Sequence, residues 1–140
     1  SKFNFWAGPL TVDYWDSDPY EATLTGAGIL SGDCDILILD VADLSGYAVG
    51  TGIDNKYTVT FIPSNASGTQ GTVEVANKLI RTGVSTVEGQ PVDLVYVATY
   101  GEYDTETGII YIEFRAAAFF QNGTDTNLNF WTGTNTITKQ

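Results

Sequence analysis

The chain has 140 residues, 43% of them hydrophobic, and a formal net charge of −11 at pH 7. That length suits one domain, 1–140, with one core, and the hydrophobic share is too high for a disordered chain. The charge disfavours phosphate-bearing partners, nucleic acid and anionic lipid headgroups alike, and no apolar run is long enough for a transmembrane segment.

In chain order, the pattern is one strand after another, rich in Thr, Val, Ile, Tyr and Phe and punctuated by Gly, Asn, Asp and Ser. Leu10, Val12 and Tyr14 alternate with polar neighbours, and Tyr20 to Leu24 repeats that alternation. Ile36 to Leu39 is apolar on both faces, which predicts a central strand buried on both sides. Tyr57, Val59 and Phe61 alternate with Thr58, Thr60 and Ile62, and Pro63 ends that strand. Val73 and Val75 follow, alternating with Thr72 and Glu74. The stretch from Val75 to Gly83 is the best helical candidate, but it is short and ends in β-branched residues and glycine.

The clearest hairpin comes late. Val92, Leu94, Tyr96, Ala98 and Tyr100 are placed on one face, with a bulge expected at Gly101. Asp104 to Gly108 forms the turn, ending in a glycine that takes positive φ at little cost. Ile110, Ile112, Phe114, Ala116, Ala118 and Phe120 return on one face, with Tyr111, Glu113 and Arg115 on the other. A short strand, Asn135 to Thr138, closes the chain. Eight to ten strands at this spacing predict an all-β sandwich or barrel.

The chemistry on offer is narrow. With no histidine and only Cys34, histidine-assisted nucleophilic catalysis, thiolate clusters and the usual zinc sites are out of reach. Asp33 and Asp35 flank Cys34 and would raise the thiol pKa, so it reads as a small core residue. Glycoside hydrolysis by a carboxylate pair, Glu102 and Glu113, is the one catalytic alternative. The chain is expected not to be an enzyme and to need no cofactor. Asp13, Asp16, Asp18 and Glu21 form an acidic loop around Pro19 whose hard oxygens suit calcium, although the spacing is not that of an EF-hand. Asn65-Ala66-Ser67 and Asn122-Gly123-Thr124 match glycosylation sequons and are read as loop residues. Trp15 should point away from the face of Leu10, Val12 and Tyr14, and an exposed indole can stack on a sugar ring beside acceptor acids. Trp15 with Asp13, Asp16 and Asp18, and then Trp131, are therefore the expected ligand-binding residues.

The segment Gly101-Glu102-Tyr103-Asp104-Thr105-Glu106-Thr107-Gly108-Ile109-Ile110-Tyr111-Ile112-Glu113-Phe114 resembles a hairpin near the C-terminus of small Bacteroides-type surface lipoproteins. Those proteins often carry a lipocalin-like (calycin) or β-sandwich domain and are encoded beside glycan-uptake systems. The resemblance implies an exported protein at the cell surface or in the periplasm, held by a lipid anchor whose cysteine is not in this sequence; Cys34 lies too far inside to serve. The expected fold is a single antiparallel β-barrel of calycin type, with a two-sheet sandwich as the alternative. The expected function is a non-catalytic binding module for a glycan or small apolar ligand. The alternative is a structural or assembly subunit of a surface complex, with outer-membrane partners.

Overall fold

A computed structural model describes residues 4–16, 23–33 and 35–140. Nine strands follow in order: β1 Gly8–Asp16, β2 Thr23–Asp33, β3 Ile36–Val41, β4 Lys56–Pro63, β5 Gln70–Val75, β6 Lys78–Val87, β7 Gln90–Asp104, β8 Ile109–Phe120 and β9 Asp125–Lys139. A 3₁₀ turn, Asn4–Trp6, precedes them, and no α-helix occurs among the described residues.

Each strand from β1 to β4 pairs antiparallel with the next. β5 then pairs with the far end of β7, and β7, β8 and β9 lead back to β1. Eight strands thus close into an antiparallel barrel of lipocalin-like architecture, and β6 extends the wall beside the first half of β7. The expected barrel forms, and the continuous ring of pairing leaves no place for the two-sheet alternative.

Most of the alternation read from the sequence becomes inside and outside of this wall. Leu10, Val12, Tyr14, Tyr57, Val59, Phe61, Ile110, Ile112 and Phe114 all face the core. Two expectations are corrected. Ile36 is 51% exposed while Leu37 and Leu39 are buried, so β3 is an ordinary barrel strand with one face to solvent. The stretch from Val75 to Gly83, too short and too β-branched to read as a convincing helix, ends β5 and starts β6. The last strand spans Asp125–Lys139, far more than Asn135 to Thr138, because pairing with β8 holds its irregular first half in place, while β1 pairs only with its second half from Gly133 on. The strand expected from Tyr20 lies outside the described residues up to 22; β2 is described from Thr23.

The barrel is filled, not hollow. Tyr96 stacks on Phe114 at 4.7 Å between ring centroids, and Tyr57 meets Tyr96 edge-on at 5.3 Å. Towards the other end, Phe61 packs on Tyr103 at 5.2 Å and on Trp6 at 5.9 Å, so the 3₁₀ turn acts as a plug. The opposite mouth is closed by the loop after β3. Asn135, fully buried on β9, accepts a hydrogen bond from the Tyr96 hydroxyl (2.8 Å) and donates one to the Leu44 carbonyl (2.8 Å). The Trp131 indole N–H donates to the Ser45 carbonyl at 3.0 Å. Gly46 has φ +79, and a Cβ there would collide with the Tyr14 ring, so only glycine lets this loop sit down on the core.

Two predictions follow from this interior. Asn135→Ala leaves the Leu44 carbonyl and the Tyr96 hydroxyl without their buried partner, and should cost roughly 2–3 kcal/mol in urea unfolding. Burial raises the pKa of both Tyr96 and Tyr57 above the ordinary 10.0. Below pH 10 both phenols are neutral whether folded or not. Above it the unfolded chain loses those protons and the folded chain does not, so stability should fall as pH rises past about 10. Circular dichroism melts through that range, with tyrosinate absorbance, check this; a flat stability would contradict it.

Candidate functional site

The outer wall formed by β1, β9, β8 and β7 carries the aromatic and acidic residues. Cross-strand register aligns two rows. One runs Trp15, Thr134, Glu113, Tyr100; the next runs Asp13, Thr136, Tyr111, Glu102, and continues onto Thr72 of β5. Outward side chains of successive strands stand side by side, so each row is a line of neighbours across the sheet.

Trp15 points outward as expected and is 39% exposed. Its position depends on Gly133: a Cβ on that residue would meet the Trp15 carbonyl and the Phe114 ring, so glycine lets β1 approach β9 closely there. Tyr100 was placed on the inner face by simple alternation, and this is corrected. Ala98 pairs with Phe114 and Tyr100 with Glu113, leaving Thr99 as an extra residue. Thr99 donates its hydroxyl to the Glu113 carbonyl at 3.1 Å. This bulge, two residues before the expected Gly101, reverses the facing of everything after it. Tyr100 turns outward, 45% exposed, and Tyr103 turns in.

The polar groups on the wall are coupled. The Tyr100 hydroxyl donates to Glu102 Oε2 at 2.6 Å. That hydrogen bond, with some burial and the nearby carboxylates, pushes the Tyr100 phenol pKa up. Burial and then the Glu113 charge do the same for Tyr111. Both phenols therefore stay neutral, with the Tyr100 hydroxyl hydrogen-bonded to Glu102 and a hydrogen bond joining Tyr111 to Glu113. Arg115 donates to Asn129 Oδ1 at 2.9 Å and forms an ion pair with Asp125. Burial opposes ionisation of Asp125, but Arg115 and the Asn127 N–H outweigh it and hold its carboxyl below the usual range.

Two grooves open on this face. One, of about 410 Å³, is lined by Trp15, Glu113, Arg115, Asn129 and Thr134. The other, of about 540 Å³, is lined by Tyr100, Tyr111, Glu102, Asp104 and Gln70.

Of the expected site residues, Trp15 and Asp13 share this wall. Trp131 does not: it packs against the core at the barrel mouth, beside Tyr47 and bonded to Ser45. The Asp16 side chain, Asp18, Glu21 and Cys34 lie outside the description, and so does most of the calcium loop. Among the described residues no group of three or more acidic, histidine or cysteine side chains is close enough to hold a metal. No described helix is long and apolar enough to cross a membrane. Both sequon asparagines serve turns: Asn65 Oδ1 accepts the Thr69 N–H at 3.0 Å and Asn122 Oδ1 accepts the Thr124 N–H at 2.9 Å. Tyr100, Tyr111, Thr134, Thr136 and Thr72 are residues of the two rows that the sequence reading left out of the site. The signal for Tyr111 was its alternation opposite Ile110 and Ile112; for Tyr100 there was none short of knowing the pairing.

Comparison with known protein families, with curated proteins and with solved structures finds no match.

Trp15 and Trp6 should behave as opposites. Trp15→Ala should change unfolding free energy by under about 1 kcal/mol, as expected at an exposed wall position. Trp6→Ala, which removes the barrel plug, should cost roughly 3–5 kcal/mol. Chemical denaturation of the two variants separates them, and equal losses would mark Trp15 as core.

Proposed function

We propose that this protein is a non-catalytic glycan-binding module, exported to the cell surface or periplasm, and that it binds through the outer wall of β1, β9, β8 and β7. The observation that carries the reading is the outward indole of Trp15, set in a row with Thr134, Glu113 and Tyr100. Aromatic faces offer apolar contact to the C–H side of a sugar, and adjacent carboxylates and threonine hydroxyls take its hydroxyl groups.

The filled interior favours a glycan over the small apolar ligand that a hollow barrel would hold. Aromatic rings occupy the space that such a ligand needs, and Trp6 and Trp131 lie at the two ends. The wall favours binding over hydrolysis. Glu102 and Glu113 lie diagonally on adjacent strands of an open surface, whereas a glycosidase needs one carboxyl kept protonated in a desolvated cleft. Export rests on the resemblance of the hairpin from Gly101 to Phe114.

Glycan-array screening and titration calorimetry test this. The native chain should bind at least one class of oligosaccharide, and Trp15→Ala should weaken that binding roughly thirtyfold, the scale of an aromatic hot spot, with the fold intact. No new reducing ends should appear. Hydrolysis that is lost in Glu102→Gln or Glu113→Gln would replace this reading with the glycosidase one.

A further inference from the structure

Resting on that reading, we infer that the ligand is an uncharged oligosaccharide lying across the strands, long enough to reach from Trp15 to Tyr100. Two independent features of the wall lead there.

The first is span. Trp15 on β1 and Tyr100 on β7 end the same row, with β9 and β8 between them. Three strand spacings make about 14 Å. No single pyranose ring touches both aromatic platforms, and a short chain of rings does. Tyr111, in the adjoining row and next to Glu113 on the same strand face, offers a third contact part-way along. One groove runs from Trp15 across to Thr99 beside Tyr100, and the other opens around Tyr100, Glu102 and Tyr111.

The second is charge. Asp13, Glu102 and Glu113 stand in the two rows, and Asp104 lines the groove beside Tyr100. Among the described residues lining the grooves, Arg115 is the only cation, and it is already engaged by Asp125 and Asn129. A uronate, sulfate or sialate would meet carboxylates with no free cation to answer them, in a chain carrying −11 overall. Neutral sugar hydroxyls suit the same surface. Each can donate to a carboxylate, the stronger kind of hydrogen bond, and can accept from a threonine hydroxyl.

The experiment is an array of neutral, uronate-bearing, sulfated and sialylated oligosaccharides of graded length, read with the native chain at low salt and followed by calorimetry on the strongest probes. Expected are hits among uncharged chains, affinity that rises with length until the Trp15–Tyr100 span is covered, and discrimination against anionic chains of equal length of roughly tenfold or more. Tyr100→Ala should remove the gain from lengthening while leaving short-chain binding, and the double variant Glu102→Gln, Glu113→Gln should narrow the gap between neutral and anionic probes. Equal or tighter binding of anionic chains, or disaccharides that bind as well as longer ones, overturns this inference while leaving Trp15-dependent glycan binding in place. Absence of binding to every probe overturns the glycan reading itself.

Discussion

Asn135 holds the two ends of a short polar chain inside an otherwise apolar barrel. Its amide joins the Tyr96 hydroxyl on β7 to the Leu44 carbonyl in the loop after β3, all fully buried. Buried polar groups are costly unless every partner is met, and here the amide oxygen and nitrogen each have one. The geometry that meets them also fixes the rest. It sets the loop against the mouth, where Ser45 meets the Trp131 indole and Gly46 makes room for Tyr14. It holds Tyr96 where it stacks on Phe114, and so fills the lumen.

A filled lumen leaves the outer face for the binding proposed above. Large barrels keep a cavity and small ones fill it with side chains; this barrel takes the second course with Trp6, Tyr57, Phe61, Tyr96, Tyr103 and Phe114. The energy of folding then resides within the wall and the chemistry on its outer face, so the two are separable. Trp15 and Tyr100 can be exposed without loss of core, and the bulge at Thr99 turns Tyr100 outward on a strand that faces Tyr96 and Ala98 inward before it and Tyr103 inward after it. The closed ring of pairing also ties that face together, which would lower the ordering cost of holding the proposed extended ligand.

Much of this was legible from local pattern. Alternation at Leu10, Val12 and Tyr14, and again from Ile110 to Phe114, is a property of a few consecutive residues and needs no partner to be read. Trp15 followed by the same rule, as the outward neighbour of Tyr14. The rule failed at Tyr100 because a bulge is defined by two strands and cannot be seen in one. It failed at Ile36 because an apolar residue on an outer wall looks the same in sequence as one buried beneath a second layer. Trp131 was grouped with Trp15 as an aromatic flanked by polar residues, but an irregular stretch of β9 brings its ring to the mouth of the barrel.

By itself, then, the amino-acid sequence determined the all-β class, most strand positions, the turn from Asp104 to Gly108 and the outward facing of Trp15, because each depends on period-two alternation or on turn chemistry within a few residues. Tertiary structure alone decided that the sheet closes, that the lumen is full and that Trp15, Thr134, Glu113 and Tyr100 form one line. Those residues are far apart along the chain, and their meeting depends on the hydrogen-bond register of four strands, which shifts with every bulge.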